Sequence, residues 1–403
     1  MIYDLVVIGG GAAGFFTAIQ LAEKRKHSKI LILEKSNKVL SKVKISGGGR
    51  CNVTHACFDP QEMVTHYPRG SKELLGPFHR FLCGDMMAWL SEKGIETKIE
   101  DDGRVFPVSN SSQTIIDCFI DCCRTHQISI QMQQAVSDIK LKDKKWIINT
   151  SSAHFSGKTV MFATGSTPSV WKILENSGYS IIAPVPSLFT FNIKHKFLEG
   201  LQGLSMPNAE VEILGTLFKE TGPLLITHWG LSGPAILKLS AWAARELHAL
   251  DYRFTIKVNL LGLPEEHVQE VIQENRKSHP KRIVKKYPQF NLPRRMWERV
   301  CYVAKLFDDN WASLDRNQME ALTQALVANH LKVDGKSTFK EEFVTCGGVE
   351  RKQIDFKTME SKVHPKLYFA GEVIDIDAIT GGFNFQAAWT ESFIAAESIA
   401  KEI

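Results

Sequence analysis

The sequence predicts an α/β protein built on a Rossmann-like dinucleotide-binding domain, with a second domain inserted into it. An apolar, β-branched run opens the chain, and the motif Gly9-x-Gly11-x-x-Gly14 and a helix-forming stretch follow it directly. A second apolar run then ends in Glu34, twenty residues past Gly14. Strand, glycine motif, helix, strand and acidic residue, in this order, are typical of dinucleotide binding.

Each glycine of the motif has its own expected role. Gly9 permits a tight turn, Gly11 lets a pyrophosphate approach the backbone, and Gly14 lets the helix pack closely on the strand. The free N–H groups at the helix start would face the phosphates. Glu34 would accept hydrogen bonds from both ribose hydroxyls. A βαβ unit without a ligand is the weaker alternative, so we expect an adenine dinucleotide here.

Length and composition set the broad class of the protein. The 403 residues exceed one ordinary core, which predicts two domains, and 44% hydrophobic with 23% charged residues is usual for a soluble globular protein. No apolar stretch is long enough to span a bilayer, and no signal peptide precedes the first strand. The eight cysteines lack C-x-x-C or zinc spacing. We therefore expect a reduced, cytoplasmic protein without a metal site.

The net charge of +5 has a local origin. The segment 276–299 contains nine Lys or Arg and one Glu, and without it the chain carries −3. We call residues 276–299 the basic segment. It has two interpretations, an RNA-binding surface or a solvated helical face. The second is preferred because aromatic residues are sparse among the cations. Nucleic acid is thus not the expected partner, and the oligomeric state is open.

Composition also indicates the domain bounds. Pro184-Val185-Pro186 marks an exit from the first domain. Residues 187–342 combine strand-like runs with a polar, helical stretch, and form the expected insertion. Residues 1–186 and 343–403 then make up the nucleotide-binding domain.

Two further glycine-rich segments indicate close approach of a ligand. Gly47-Gly48-Gly49 precedes Arg50-Cys51-Asn52, and such a backbone is entropically costly unless something must come near it. A flexible surface loop is the alternative. Near the C-terminus, Gly382-Phe383-Asn384 opens the last helix and would present backbone N–H groups to an anion or a carbonyl edge.

These segments together resemble the BaiN-like flavoproteins, also called the aminoacetone oxidase family of FAD-binding enzymes. The resemblance spans the chain and rests on the Gly9-x-Gly11-x-x-Gly14 motif and six further features. These are Glu34, Ile45 to Asn52, Ala163-Thr164-Gly165, Thr227 to Pro234, Gly347-Gly348-Val349, and Gly371-Glu372 with Gly381 to Asn384. It implies a two-dinucleotide-type FAD-binding domain interrupted by a β-barrel and a helical subdomain. Cys346 departs from the usual alanine without consequence.

The resemblance also implies how FAD would be held. Gly9, Gly11, Ala13 and Gly14 would bind the pyrophosphate. The other implied contacts are Glu34 and Lys35 at the adenosine ribose, Val136 at adenine, Gly48, Arg50 and Asn52 in the glycine loop, Thr164 and Gly165 at the ribityl chain, and Gly371, Glu372, Gly382, Phe383 and Asn384 at the diphosphate and flavin. A side chain at Gly382 would then displace the flavin edge without preventing folding.

The implied activity is that of an FAD-dependent oxidoreductase, passing hydride through flavin N5 to or from a small organic substrate. Family members include an amine oxidase and a bile-acid enone reductase, so the substrate is open. His228 and Cys51 are the candidates for proton transfer or redox chemistry, and packing roles are their alternatives. No second G-x-G-x-x-G is present, so NADH or NADPH would visit transiently, or oxygen would reoxidise the flavin. The alternatives are an RNA-associated flavoprotein and a flavin-binding sensor without turnover.

Overall fold

The computed structural model describes residues 1–337 and 344–403. These form two compact units, residues 1–185 with 344–403 and residues 186–337. The expected end of the insertion, at residues 342 and 343, lies outside the described residues. Among the described residues, no helix is long and apolar enough to cross a membrane.

The elements alternate along the chain as follows. The first stretch contains β1 (Ile2–Ile8), α1 (Ala12–Lys24), β2 (Ile30–Leu33), α2 (Ser41–Gly49), β3 (Thr54–His55), α3 (Pro60–Val64), α4 (Ser71–Phe78), α5 (Cys83–Glu92), β4 (Thr97–Ile99), β5 (Arg104–Pro107), α6 (Ser112–Thr125), β6 (Ser129–Gln131), β7 (Val136–Lys142), β8 (Lys145–Thr150), β9 (His154–Phe162), α7 (Pro168–Asn176) and β10 (Ile181–Ser187). The middle contains β11 (Thr190–Asn192), β12 (Ser205–Ile213), β13 (Lys219–Ile226), β14 (Gly230–Ser232), α8 (Pro234–Trp242), α9 (Ala244–Ala249), β15 (Arg253–Asn259), α10 (Glu265–Ser278), α11 (Arg294–Val303), α12 (Arg316–Val327), β16 (Asn329–Asp334) and β17 (Lys336–Ser337). The last stretch contains β18 (Val344–Val349), β19 (Ile354–Asp355), β20 (Glu360–Ser361), β21 (Leu367–Phe369) and α13 (Phe383–Glu402), and short 3₁₀ turns cover Val284–Lys286, Trp311–Ser313 and Arg351–Gln353.

The first unit is built on a sheet whose centre is parallel. Strands β6, β2, β1, β9 and β21 lie side by side in parallel. The side chains of β2 and of the second half of β1 are buried, as is typical of strands covered on both faces. The α/β fold class is confirmed. Because parallel strands end at one edge of the sheet, the residues that follow β1, β2, β9 and β21 collect there.

An aromatic cluster fastens the helices above this sheet. The centroid of the Phe16 ring in α1 lies 5.1 Å from the Trp89 ring centroid and 5.4 Å from the Trp389 ring centroid. Phe119 of α6 packs on the same group, at 5.7 Å from Trp389. Edge-to-face contacts of this kind are favoured by the ring quadrupoles. The cluster fixes α1 and α13, the two helices whose starts matter below.

The sequence makes three local predictions in the first unit, namely a small separate sheet over 128–148, a helix over 71–93 broken near Gly84, and a glycine turn over 344–349, and the first and third are wrong. The hairpin β7–β8 is not a separate small sheet, because β8 pairs with β9 in the main sheet. The helical stretch 71–93 is broken near Gly84 as expected, between Phe78 and Cys83, since the Asp85 carboxylate accepts the Leu82 N–H (2.7 Å) and caps a new helix. Val344–Val349 is a strand paired with β10 and not a glycine turn.

The second unit is an antiparallel barrel with helices. Its seven strands follow the order β16, β15, β12, β13, β14, β11, β17. The two end strands are consecutive in the chain and are joined at Gly335. The Gly335 N–H donates to Tyr252 O (2.9 Å), and its carbonyl accepts from Asn192 N (3.0 Å), which closes the ring. The barrel implied by the resemblance is present. The apolar pattern over 232–250 predicts one helix, which is split into α8 and α9 at Ala243. The sequence from 264 to 331 predicts mostly helix, and α10, α11 and α12 lie there, with β16 beginning at its end.

Candidate cofactor site

The glycine motif forms the tight turn between β1 and α1. A Cβ on Gly9 would collide with the Ala163 carbonyl, and one on Gly14 with the Gly9 carbonyl. These two glycines are therefore required by packing within the protein. A Cβ on Gly11 would meet nothing within 4 Å. The space beside Gly11 is open to a ligand.

The start of α1 is suited to an anion. Gly11 is the N-cap and supplies no side-chain hydrogen bond. The first intrahelical bond runs from Phe15 N to Gly11 O (3.0 Å), so the N–H groups of Ala12 to Gly14 have no intrahelical acceptor. Such groups, at the positive end of a helix dipole, bind phosphate oxygens well. Ala13 is nearly buried, and its carbonyl accepts the Ser392 hydroxyl (2.9 Å).

Glu34 lies at the end of β2 and is tied to the glycine turn. One carboxylate oxygen accepts the Gly10 N–H (2.8 Å) and the other accepts the Ser36 N–H (2.8 Å). Each oxygen keeps a second lone pair for a ribose hydroxyl. Lys35 is exposed, and its ammonium donates to Thr167 Oγ1 (3.2 Å).

The segment before β7 reaches Glu34 through the backbone. Gln134 N donates to Glu34 O (2.8 Å), and Val136, the first residue of β7, follows two positions later. This brings Val136 to the region where the adenosine end of a dinucleotide is expected. Its contact with adenine stays a prediction.

The Gly47–Gly49 loop has the conformation that only glycine adopts readily. Its three residues have φ of +56°, +68° and +84°. A Cβ on Gly47 would lie 2.9 Å from both Asn52 N and Phe106 Cε1, whereas Cβ atoms on Gly48 and Gly49 would meet nothing within 4 Å. Gly47 therefore serves the packing of the loop, and Gly48 and Gly49 leave room for a ligand.

Arg50 is held by the protein itself. Its guanidinium donates to Glu100 Oε1 (2.6 Å) and lies 3.9 Å from the centre of the Phe106 ring. A contact of this guanidinium with the cofactor stays a prediction. The ion pair and the cation–π contact orient the loop, and the loop presents its backbone groups to a ligand.

Asn52 carries a buried polar atom that awaits a partner. The side chain is 8% exposed, and its Oδ1 has no hydrogen-bond partner among the described residues. A Cβ built on Gly382 would lie 2.9 Å from this oxygen. Leaving a buried acceptor unsatisfied costs about 1–3 kcal/mol. A ligand donor beside the start of α13 would remove that cost.

The start of α13 repeats the open N-terminus of α1. Gly382 is the N-cap with φ +98° and supplies no side-chain cap, and the first intrahelical bond runs from Gln386 N to Gly382 O (3.1 Å). A Cβ on Gly382 would lie 2.6 Å from Thr54 C and O. The free N–H groups of residues 383–385 are available to a carbonyl edge or an anion.

The side chains of Phe383 and Asn384 are occupied by contacts within the protein, so the expected contact with the flavin is left to their backbone and stays a prediction. The Phe383 ring is buried between His55 and His66, with centroid distances of 4.4 and 4.2 Å. The Asn384 amide accepts from Ala378 N (3.0 Å) and donates to Ala378 O (3.1 Å). Both side chains hold the helix start in place, and only the backbone of these residues is left for a cofactor.

Two strand ends complete this edge of the sheet. Thr164 and Gly165 follow β9, and Gly165 has φ +58°. Glu372 follows β21 and forms an ion pair with Lys42, and a Cβ on Gly165 would lie 3.6 Å from its carboxylate. Gly371 has φ +78°. These residues gather where the sheet topology places ligands in open α/β folds.

Sequence reasoning missed Glu391, a fully buried carboxyl of α13. One of its oxygens accepts the Gly371 N–H (2.6 Å), and the other has no partner among the described residues. Burial raises the pKa of Glu391 to about 8. The signal was present, because an acidic residue lies among the small and apolar residues Ala387 to Ser392 of an otherwise buried helix.

Cys51 is poorly suited to redox chemistry. Its side chain is fully buried, and burial raises the pKa of the thiol to about 12. The thiolate is the form that reacts in redox chemistry, so burial disfavours Cys51 as a redox partner, and a role as a proton donor stays a prediction. Its φ of +61° shows that it serves the loop conformation.

The spacing of cysteines in the sequence did not reveal one group of potential metal ligands. One donor atom each from Cys57, Glu62 and His66 lies within 4.8 Å of the others. Burial, followed by the charge of Glu62, raises the pKa of Cys57 to about 11. These side chains form a polar cluster beside the Phe383 ring.

His228 belongs to the second unit, on the turn between β13 and β14. It is exposed and lines a groove of about 720 Å³ together with Trp229, Lys194 and Lys332. The groove has polar and aromatic walls suited to a ligand. A catalytic role for His228 stays a prediction.

The glycine turns, the free N–H groups and the unpaired Asn52 oxygen of the first unit fit an adenine dinucleotide with a planar ring.

The chain matches the profile of the HI0933-like protein Rossmann domain over residues 3–398. It is 30% identical over 412 residues to the ribosomal RNA dihydrouridine synthase of Haemophilus influenzae, with 98% of each chain covered. It is 25% identical over 409 residues, again 98% of each, to the 3-dehydro-bile acid delta(4,6)-reductase of Clostridium scindens. The fold matches 3-ketosteroid-delta4-(5alpha)-dehydrogenase of Rhodococcus jostii with a TM-score of 0.55 and 12% identity, over 99% of this chain and 97% of that one. The protein is thus a member of the HI0933-like Rossmann family, a family of FAD-dependent oxidoreductases.

Proposed function

We propose that this protein reduces a carbon–carbon double bond conjugated to a carbonyl group, and that its substrate is a uridine in ribosomal RNA. The observation that carries the proposal is the match, over 98% of both chains, to a relative named ribosomal RNA dihydrouridine synthase. Dihydrouridine differs from uridine by two hydrogens at C5 and C6, and this double bond is conjugated to the C4 carbonyl. The relative named as a bile-acid delta(4,6)-reductase acts on a double bond in a 3-dehydro compound. Both names describe one class of reaction.

The residues of the first unit support the cofactor part of the proposal. The start of α1 and Glu34 would hold the pyrophosphate and the adenosine ribose. The start of α13 and Asn52 Oδ1 would meet polar atoms of the flavin. Positive backbone dipoles near the ring would stabilise negative charge that develops on it. When bound, FAD supplies hydride transfer chemistry.

The reaction balances with one external reductant. C6 of the uracil gains a hydride and C5 gains a proton, so the C5=C6 double bond becomes a single bond. A nicotinamide of the NADH or NADPH class supplies the two electrons of each turnover. A general acid must deliver the proton at C5, and His228 is the candidate for that role in this proposal.

The basic segment supports RNA as the substrate. Among the described residues, its cations Arg276, Lys277, Lys281, Lys285 and Lys286 have no ion-pair partner. Arg282 lies 5.1 Å from the centre of the exposed Tyr287 ring, an arrangement that also stacks on bases. Arg295 and Arg299 serve the fold, since they donate to carbonyls of residues 196–200, and Arg294 pairs with Glu298. The proposal therefore reverses the preference for a solvated face.

The experiment uses the FAD-loaded protein, NADH or NADPH, and ribosomal RNA from cells that lack the enzyme. Nucleoside mass spectrometry should detect new dihydrouridine that depends on the nicotinamide. A matched reaction with a 3-keto-4-ene steroid or bile acid tests the second candidate, which the bile-acid relative favours. Reduction of the steroid with no dihydrouridine would replace RNA by a small enone. Oxygen-dependent oxidation of amines with neither product would overturn the reductase proposal.

A further inference from the structure

Trp229 is a large aromatic side chain displayed to solvent. It is 60% exposed and belongs to the turn between β13 and β14. An exposed indole keeps a flat apolar face available for stacking by a ligand. The ring lines the 720 Å³ groove of the second unit, which we call the Trp229 groove.

The turn that carries Trp229 is rigid. Thr227 Oγ1 accepts the N–H groups of Trp229 (3.2 Å) and Gly230 (3.2 Å), and Thr227 N donates to Gly230 O (2.8 Å). A Cβ on Gly230 would collide with the Phe191 carbonyl, so the turn also packs closely on β11. The backbone that carries the indole is therefore held in place, so binding there needs no ordering of the turn.

The groove carries an excess of positive charge. Lys194 and Lys332 line it and have no ion-pair partner among the described residues. Arg253 also lines it, and its charge is shared with Asp334 and Asp251. Three cations thus face one lining carboxylate, Asp334. A pair of free lysines beside an exposed ring is suited to a polyanion with flat bases.

The floor of the groove is part of the barrel. Thr255 of β15 is paired with Lys332 of β16, and Arg253 is paired with Asp334. Sheet pairing fixes the positions of these side chains relative to one another. The groove is therefore a preformed site, and its charges do not depend on a loop becoming ordered.

These features select one kind of ligand. A bile acid or steroid would need an enclosed apolar pocket, which free lysines and an exposed indole do not provide. Double-helical RNA is recognised through its shape and backbone, and its paired bases cannot stack on a side chain. Single-stranded RNA offers both unstacked bases and phosphates.

We propose that the Trp229 groove binds a single-stranded RNA segment, with Trp229 stacking on a base and Lys194 and Lys332 contacting phosphates. This inference rests on the proposed function and adds the residues that would recognise the RNA. The basic segment would contribute sequence-independent attraction, and the groove would require that the RNA be unpaired.

The test measures binding of the FAD-loaded protein to a fluorescein-labelled, uridine-rich single-stranded RNA by anisotropy, without NADH or NADPH. Trp229→Ala should weaken binding about tenfold or more, since stacking on one aromatic ring contributes roughly 1–3 kcal/mol per base. Trp229→Phe should retain most of the affinity. The double variant Lys194→Glu/Lys332→Glu should weaken binding and flatten its salt dependence, because fewer counterions are released.

Matched controls separate this site from general charge. Lys144→Glu changes an exposed lysine of the first unit, and Tyr302→Ala removes another exposed aromatic ring, 64% exposed, from the second. Both should bind the single strand like the wild type. Flavin absorbance and the melting temperature check that each variant is folded. Wild-type affinity in Trp229→Ala, or equal losses in the controls, would overturn the proposal.

The outcome is separable from that of the proposed function. Loss of single-strand binding in Trp229→Ala by a protein that makes no dihydrouridine would support the groove and reject the reaction. Dihydrouridine formation by Trp229→Ala at the wild-type rate, at limiting RNA, would support the reaction and reject the groove. Equal binding of a duplex of the same sequence would also reject it.

Discussion

Helices α1 and α13 begin alike, and they differ in what lies beside the capping glycine. Both have a glycine N-cap without a side-chain hydrogen bond. Gly11 has an ordinary φ of −93° and open space beside it, whereas Gly382 has φ +98°, and a Cβ added to it would lie 2.6 Å from the Thr54 backbone. One glycine is explained by the approach of a ligand and the other by the conformation of the chain. A shared sequence pattern therefore has two physical causes.

The largest effect is expected for Gly382→Val. Its side chain would be strained at positive φ and would overlap the Thr54 backbone, so we expect a loss of about 2–6 kcal/mol in the free energy of unfolding. This corrects the expectation that the variant folds and loses only flavin. Thermal unfolding of the apoprotein, followed by circular dichroism, measures the change. A wild-type midpoint would show that the start of α13 has space the structure does not give it.

Gly11→Val is the matched change at α1. Valine adopts this φ without strain, so the apoprotein should lose less than about 1 kcal/mol, chiefly as a poorer cap. FAD affinity should fall about 100-fold, near 2.7 kcal/mol, because the side chain fills the space of the pyrophosphate. Titration of apoprotein with FAD, followed by flavin fluorescence, measures it.

Gly11→Ser sharpens the same test. Serine supplies the missing cap and should stabilise the apoprotein slightly, while its hydroxyl competes for the N–H groups that phosphate needs. Opposite signs for stability and FAD affinity would identify the helix start as the anion site. Unchanged FAD affinity in both Gly11 variants would remove the pyrophosphate from this position.

Glu34→Gln should have a smaller effect. The amide keeps the shape but directs an NH₂ group at either Gly10 N–H or Ser36 N–H, which now bond to the carboxylate. We expect a loss of about 1–2 kcal/mol in FAD binding. Lys35→Ala is the control, since Lys35 donates only to Thr167, and should change binding by less than about 0.5 kcal/mol. Calorimetric titration of both apoproteins compares them, and equal dissociation constants would show that Glu34 only supports the turn.

What the sequence predicted correctly depends on near neighbours in the chain. The turn at Gly9, the free helix start after Gly11 and the acid at the end of β2 follow from a short pattern of strand, glycine and helix. The roles of Phe383 and Asn384 depend on His55, His66 and Ala378, which only the folded chain brings to them.

The incorrect predictions have the same cause, which is dependence on residues that are distant in the chain. Cys51 reads as a reactive thiol next to a glycine loop, and its complete burial is decided by residues far away in the chain. The barrel was available only through the resemblance, because its closure at Gly335 needs partners from β11 and the start of β15. Exposure and long-range pairing are properties of the fold, and residue patterns carry little information about them.

Two adjacent side chains of α13 connect it to the rest of the cofactor edge. Ser392 donates to the Ala13 carbonyl in α1, and Glu391 accepts the Gly371 N–H after β21. The second contact places a buried carboxyl behind a backbone expected near the diphosphate. Its protonation state therefore affects the packing of this edge more than the binding of FAD itself.

Glu391→Gln should change FAD affinity little and change the pH dependence of stability clearly. Burial raises the pKa of Glu391 to about 8, above its value of about 4.3 in an unfolded chain. The unfolded chain therefore loses this proton first, so the contribution of the neutral carboxyl is complete below about pH 4.3 and is lost as the pH rises toward 8. Glutamine stays neutral, accepts the Gly371 N–H, and should remove this decline between pH 5 and 8.

Glu397→Gln on the same helix is the control. Burial raises the pKa of Glu397, but its contacts with Arg80 and Lys24 outweigh that effect and lower it, so its contribution is lost on acidification instead. Melting temperatures of the wild-type, Glu391→Gln and Glu397→Gln apoproteins are compared from pH 5 to 9. A Glu391→Gln protein with the wild-type slope would mean that this carboxyl is already charged in the fold, and that the Gly371 N–H donates to a carboxylate.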